Sequence, residues 1–189
     1  MNRRTLVFAL PMLLMPLCAA AQTESLIPPK IDITEITESP IPPTATVAEI
    51  MENKIMLAAN VLWGATAVYI TEQGEDDRSP KNDEEWLQVD KARIVLEEAI
   101  KALLVPGRHV DVAGAVSEYP EEELNPDQIE AMIRNEPEVW AAMLHALDDT
   151  VQQAKKAIEE HDVPALTEIG GAIDDACESC HLHFWYPEH

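Results

Sequence analysis

From Thr46 to Phe184 the apolar residues come back every three or four positions, the spacing that places them on one face of an α-helix. Period-two alternation of β-branched residues is missing, and glycine occurs only 6 times in 189 residues. Helix 1 opens at Thr46, with Glu49 completing a capping box, and carries Val47, Ile50, Met51, Ala58, Val61, Leu62 and Ala65 on its stripe. It is expected to run to about Tyr69 and to dissolve in "EQGEDDRSPKND". Helix 2 starts near Asp83, presents Trp86, Val89, Arg93, Leu96, Ile100 and Leu103, and stops at Pro106-Gly107. Residues 107–135 read as loop, apart from a short helix opened by Asn125-Pro126 with Gln128 as its box partner. Helix 3 is expected to be capped by Asn135 with Glu138 and to bury Trp140, Leu144, Leu147, Val151, Ala154 and Ile158. Asp162 caps helix 4, whose stripe is Leu166, Ile169, Gly170, Ile173, Ala176, Cys177, Cys180 and Phe184. Four such helices of about 20 residues, the last two joined by the short "EEHD" turn, predict an all-α antiparallel four-helix bundle.

The N-terminus reads differently. Arg3 and Arg4, an apolar run from Leu6 to Leu17 and the small residues Ala19-Ala20-Ala21 have the form of an export signal over residues 1–21. The apolar run falls short of the roughly 20 residues a membrane span needs. Cys18 as a lipidation site is disfavoured by the bulky Leu17 before it. Residues 22–45 hold five prolines and read as an extended lead-in, so the expected domain is 46–189. The expected location is the periplasm, with no membrane span in the mature chain. Loss of the leader removes two arginines and no acid, moving the net charge from −22 to −24. A chain this acidic repels nucleic acid; its charge either steers it toward a partner with a basic docking face or simply keeps an exported protein soluble.

The three cysteines sharpen the picture. Cys18 leaves with the leader, so Cys177 and Cys180 remain, inside "CESCHLHFWYPEH". A disulfide between them closes almost no loop and stabilises little, so the pair points to chemistry. Cys177 and Cys180 share a helix face and His181 follows at once. Three chemistries use such a set. A thioredoxin-like redox pair needs the first cysteine at a helix N-terminus, where the dipole lowers its pKa, whereas this pair sits at a helix C-terminus. Zinc would have to take Cys177, Cys180, His181 and His183 from one short stretch, where structural sites gather ligands from two knuckles. Covalent haem c needs two thiols at this spacing with a histidine directly after the second. The spacing favours haem.

A helical chain with CxxCH in its last helix resembles the class II c-type cytochromes, the cytochrome c′ family. The resemblance spans roughly residues 46–186 and rests on "CESCH" near the C-terminus, followed by the aromatic Phe184. It departs at Trp185, where the family has a basic residue. The resemblance implies one haem c, bound through Cys177 and Cys180 with His181 as proximal iron ligand. It also implies that helix 1 faces the other side of the iron. Met51, in "AEIMENKIM", stands at the position similar to the methionine of the low-spin, electron-carrying members. Its neighbours Val47 and Glu52 replace the basic residues usual there. Met51 lies on the apolar stripe and Met56 off it, which makes Met51 the expected distal ligand. Ordinary packing is the alternative for a methionine on that stripe.

On this reading the protein is a periplasmic carrier of single electrons, not an enzyme, with a redox protein as partner. A homodimer through helices 1 and 2 is a further implication of the resemblance. A five-coordinate haem that binds NO or CO, and a zinc-stapled helical interaction module, are the alternatives. Arg93 and Arg108 are candidates to neutralise haem propionates, though Arg93 also fits an arginine whose stem lies on the core. Trp63, Trp86, Trp140 and Trp185 fit either porphyrin contacts or core packing. Gly170 and Gly171 cost helix stability, a cost that either room for a macrocycle or chance tolerance would explain. His109 is the rival axial ligand.

Overall fold

A computed structural model describes residues 40–186. The expected leader, 1–21, and the lead-in up to residue 39 lie outside the described residues. Among the described residues the regular structure is five helical rods and one small hairpin. Helix α1 spans residues 47–64 in three continuous pieces: Val47–Ile50, a π turn over Met51–Ile55, and Met56–Gly64. The hairpin pairs β1, Val68–Thr71, with β2, Gly74–Asp77. Then follow α2 (Asp83–Leu103), α3 (Pro126–Asn135), α4 (Pro137–Glu159) and α5 (Val163–Phe184).

Local chemistry explains most boundaries. The Thr46 hydroxyl accepts from Glu49 N at 3.1 Å while the Glu49 carboxylate accepts from Thr46 N at 2.8 Å, closing the expected capping box. Asn82 accepts from Glu85 N at 3.0 Å and heads a first turn holding Asp83, Glu84 and Glu85, which suits the positive end of the helix dipole. Asp162 accepts from Ala165 N at 3.0 Å. Gln128 likewise accepts from Asn125 N at 2.9 Å.

Two boundaries correct the sequence reading. Helix α1 stops at Gly64 rather than near Tyr69, and Val68 to Thr71 pair antiparallel with Gly74 to Asp77. Val68, Tyr69, Ile70 and Thr71 are strand formers, and Gly74 takes φ 120, which a side chain would resist. The Thr71 hydroxyl locks the turn, donating to Gly74 O at 2.8 Å and accepting from Gln73 N at 3.1 Å. The fold is therefore mostly helical, as expected, with a small two-stranded sheet where the end of helix 1 was expected. At the second boundary, Asn135 is the last residue of α3 and does not cap α4. Glu136 makes the break (φ −126, ψ 50) because Pro137 disfavours a helical residue before it.

The long helices pack pairwise. Helix α5 lies on α4, α4 on α2, α2 on all three pieces of α1, and the Met56–Gly64 stretch of α1 on α5; α3 leans on α4 and α5. Specific contacts set the directions. At one end, Val47 N donates to His109 O at 2.9 Å just beyond α2, and Trp140 Nε1 donates to Leu103 O at 3.2 Å. At the other, the Trp86 and His161 rings stack 4.8 Å apart and 2° from parallel. Successive long helices therefore run antiparallel. One continuous core joins Ile50, Leu62, Leu96, Ile100, Leu144, Leu166, Ile173 and Phe184, each fully buried and each contributing about 1.5–3 kcal/mol of hydrophobic stabilisation. The end of the proline-rich lead-in belongs to this body. Ala45 is buried, Ile41 packs on the core, and the Arg108 guanidinium donates to Ala45 O and to Ala102 O. Among the described residues no helix is long and apolar enough to cross a membrane.

Candidate functional site

The last turns of α5 carry Cys177, Cys180 and His181, all half-buried. Both thiols are free and pack against the core. Burial pushes each up to about 11, with Asp174 adding to Cys177, so both are protonated at neutral pH. Burial also pulls His181 below its ordinary value, against the opposing Glu178 charge, which leaves a neutral imidazole with a free lone pair. Neutral thiols are poor nucleophiles and poor zinc ligands until deprotonated.

The residues around the motif separate its neighbours. His183 turns away: its Nε2 lies 2.8 Å from Glu136 Oε2, at the break between α3 and α4. The Trp185 ring stands edge-on to His181 with centroids 6.1 Å apart. Phe184 is buried and meets Trp140 edge-on at 5.3 Å. Leu124 N donates to Trp185 O at 2.9 Å, tying the acidic 107–135 connection to the end of α5. Among the described residues no three His, Cys, Asp or Glu side chains converge as a metal shell. A zinc site built from Cys177, Cys180, His181 and His183 is not assembled in this arrangement. Haem c asks less of the chain: two thiols and one imidazole on one helix, and these are present.

Met51 opens the π turn of α1, half-buried against the core, whereas Met56 is exposed. The height of Met51 follows from one contact. Trp63 Nε1 donates to Gly170 O at 3.0 Å, which pins α1 to α5. From residue 63 back to residue 51 is about 18 Å, and from 170 forward to 181 about 16.5 Å, at 1.5 Å per residue. The helices run antiparallel, so Met51 and His181 fall at the same height to within one turn. Pairing of α1 with α5 comes from Met56–Gly64, while the π turn packs on α2. A π turn inserts an extra residue, recurs at functional sites, and has no signature in the apolar spacing.

The other candidates sit elsewhere. Arg93 is buried on α2, where its Nε and Nη1 each lie 2.7 Å from a carboxylate, Asp90 and Glu97 respectively. Burial would raise Glu97, but hydrogen bonds from Gln152, Lys101 and Arg93 outweigh it and hold the carboxyl below its ordinary range. The Arg93 charge is thus already matched within its own helix. Arg108 is committed to main-chain carbonyls, and His109 is exposed with Nδ1 3.2 Å from Glu130 Oε2. Of the four tryptophans, Trp185 alone touches the CxxCH histidine ring, while Trp86 caps the opposite end. The space beside Gly170 is taken by Trp63, and Gly171 faces open space. Sequence reasoning missed the Lys54 side chain, which is buried beside a cavity of about 460 Å³ lined by Ile41, Pro42, Ile50 and Leu57. Desolvation lowers its pKa against the attraction of Glu98. No protein-family model, curated protein or solved structure matches the chain.

Proposed function

We propose that this chain is an exported, periplasmic carrier of single electrons, an antiparallel four-helix bundle of α1, α2, α4 and α5 with one haem c on its last helix. Cys177 and Cys180 hold the group, His181 is the proximal ligand and Met51 the distal one. The observation that carries this reading is the isolated donor set at the end of α5. Two free, protonated thiols and a neutral imidazole share the last turns of one helix, and the nearby His183 is engaged with Glu136. That set is complete for haem c and incomplete for structural zinc.

When bound, haem c supplies one-electron chemistry at its iron, with methionine ligation raising the potential. The chain's own residues hold and shield it. Half-burial keeps His181 neutral, Trp185 restricts its ring, and Phe184 anchors the helix end in the core. Leu182, exposed beside His181, leaves this end accessible to another protein. Electrons would pass to a redox partner with a basic docking face, since the net charge of −24 left after loss of the two leader arginines attracts one and repels nucleic acid. Arg93 and Arg108 have structural duties and are not needed for this reading.

The test is expression with a haem-attachment system, followed by denaturation and a pyridine haemochrome spectrum. The expected result is haem that stays on the unfolded chain at one per protein. A chain that retains zinc, or no chromophore, sinks the proposal.

A further inference from the structure

Between the apolar surfaces of α1 and α5 stands a directional polar contact, from the Trp63 indole N–H to the carbonyl of Gly170. The seat is specific. A Cβ on Gly170 would meet Trp63 Cδ1 at 3.3 Å, whereas a Cβ on Gly171 would meet nothing within 4 Å. A glycine inside a helix costs about 1 kcal/mol against alanine. At Gly170 that cost allows the indole to lie directly on the α5 backbone. Apolar side chains alone tolerate neighbouring packing arrangements, while a directional hydrogen bond, here partly buried, favours one. A slip of α1 by one turn would move Met51 by about 5.4 Å along the axis. Ligand distances at a metal tolerate only about 0.2 Å.

We propose that Trp63, seated on Gly170, is a positioning residue for Met51: it fixes the axial register of α1 on α5 and thereby the height of Met51 relative to His181. The inference rests on the reading of Met51 and His181 as the two iron ligands. Trp63 itself lies about 18 Å along α1 from Met51, so it acts through the helix and touches no ligand.

The experiment compares the haem-loaded wild type with Trp63→Phe, Gly170→Ala and Gly171→Ala. Each is read by the far-red methionine–iron band, the reduction potential and the thermal midpoint. Trp63→Phe removes the N–H, Gly170→Ala displaces the indole, and Gly171→Ala is a neighbouring control in open space. The expected result is covalent haem in all four proteins. The band should fall at least roughly twofold and the potential drop in the first two variants, while Gly171→Ala keeps both, since methionine ligation raises the potential. Lower midpoints with the wild-type band and potential in Trp63→Phe and Gly170→Ala overturn the inference and leave the ligand reading standing. A wild type without the band, or with a band that survives Met51→Ala, overturns both. If Trp63→Phe does not accumulate, Gly170→Ala decides alone, because among the described residues Trp63 is the only group beyond the local helix backbone within 4 Å of its new methyl.

Discussion

At one end of the helical body, Trp86 lies flat on His161 and Trp63 sits on the Gly170 carbonyl. At the other end, α1 widens into a π turn, Arg108 clamps the incoming chain by its carbonyls, and α5 presents two half-buried thiols and an imidazole. The first end is closed by aromatic faces on backbone, contacts that set position. The second end carries the residues whose chemistry is unspent: protonated thiols, a neutral histidine and a thioether. Under the proposed role of Trp63, labour is divided: the closed end sets where the reactive end finds its groups.

The largest effect that tests this division is at the thiols. The double variant Cys177→Ser/Cys180→Ser should lose covalent haem completely, read as the mass of the denatured chain, with helix content retained. Next comes Phe184→Ala, which removes a fully buried ring at the reactive end and should cost about 3–5 kcal/mol in denaturant unfolding. A cost under about 1 kcal/mol would mean that α5 is not anchored there.

Midway along α2, Glu97→Gln should cost about 1–3 kcal/mol at neutral pH, because it weakens the carboxylate that matches the buried Arg93. The carboxyl of Glu97 is held below its ordinary value of 4.5, so the folded state binds its proton less readily than the unfolded chain. Its contribution is therefore full above that value and is lost as pH falls through the lower folded one. The wild type's advantage over Glu97→Gln should shrink on acidification below pH 4.5 and vanish in strong acid, measured by urea midpoints. An advantage independent of pH would contradict the pairing. The smallest effect belongs to the hairpin, which lies outside both ends. Ile70 is 79% exposed, and Ile70→Lys should change stability by no more than about 0.5 kcal/mol and leave any haem spectrum unchanged.

Much of this was legible from residues in order. The four stripes report burial because a helix repeats its environment every three or four residues, and their aliphatic members are buried or packed on the core. The caps at Thr46, Asn125 and Asp162 are local hydrogen-bond chemistry and appear where the side chains suggest. The sequence offers Arg93 either a haem propionate or a stem on the core; its pairing with Asp90 and Glu97, although at helical spacing, is a finding of the structure. What escaped depends on backbone detail or distant partners. The π turn leaves no mark in apolar spacing, and the hairpin needed Gly74 at positive φ to reverse two short strands. The Trp63–Gly170 contact spans 107 residues and cannot be inferred from either site alone. The CxxCH set was legible as a motif, whereas the turning of His183 toward Glu136 depended on how α3 and α4 meet.

The most direct test of the central claim is the ferric absorption spectrum of the haem-loaded chain, taken for the wild type and for Met51→Ala. The account predicts a low-spin spectrum with the far-red methionine–iron band in the wild type, and loss of that band with a high-spin, ligand-accessible iron in Met51→Ala. A Met51→Ala protein that keeps the low-spin spectrum and the band would contradict it.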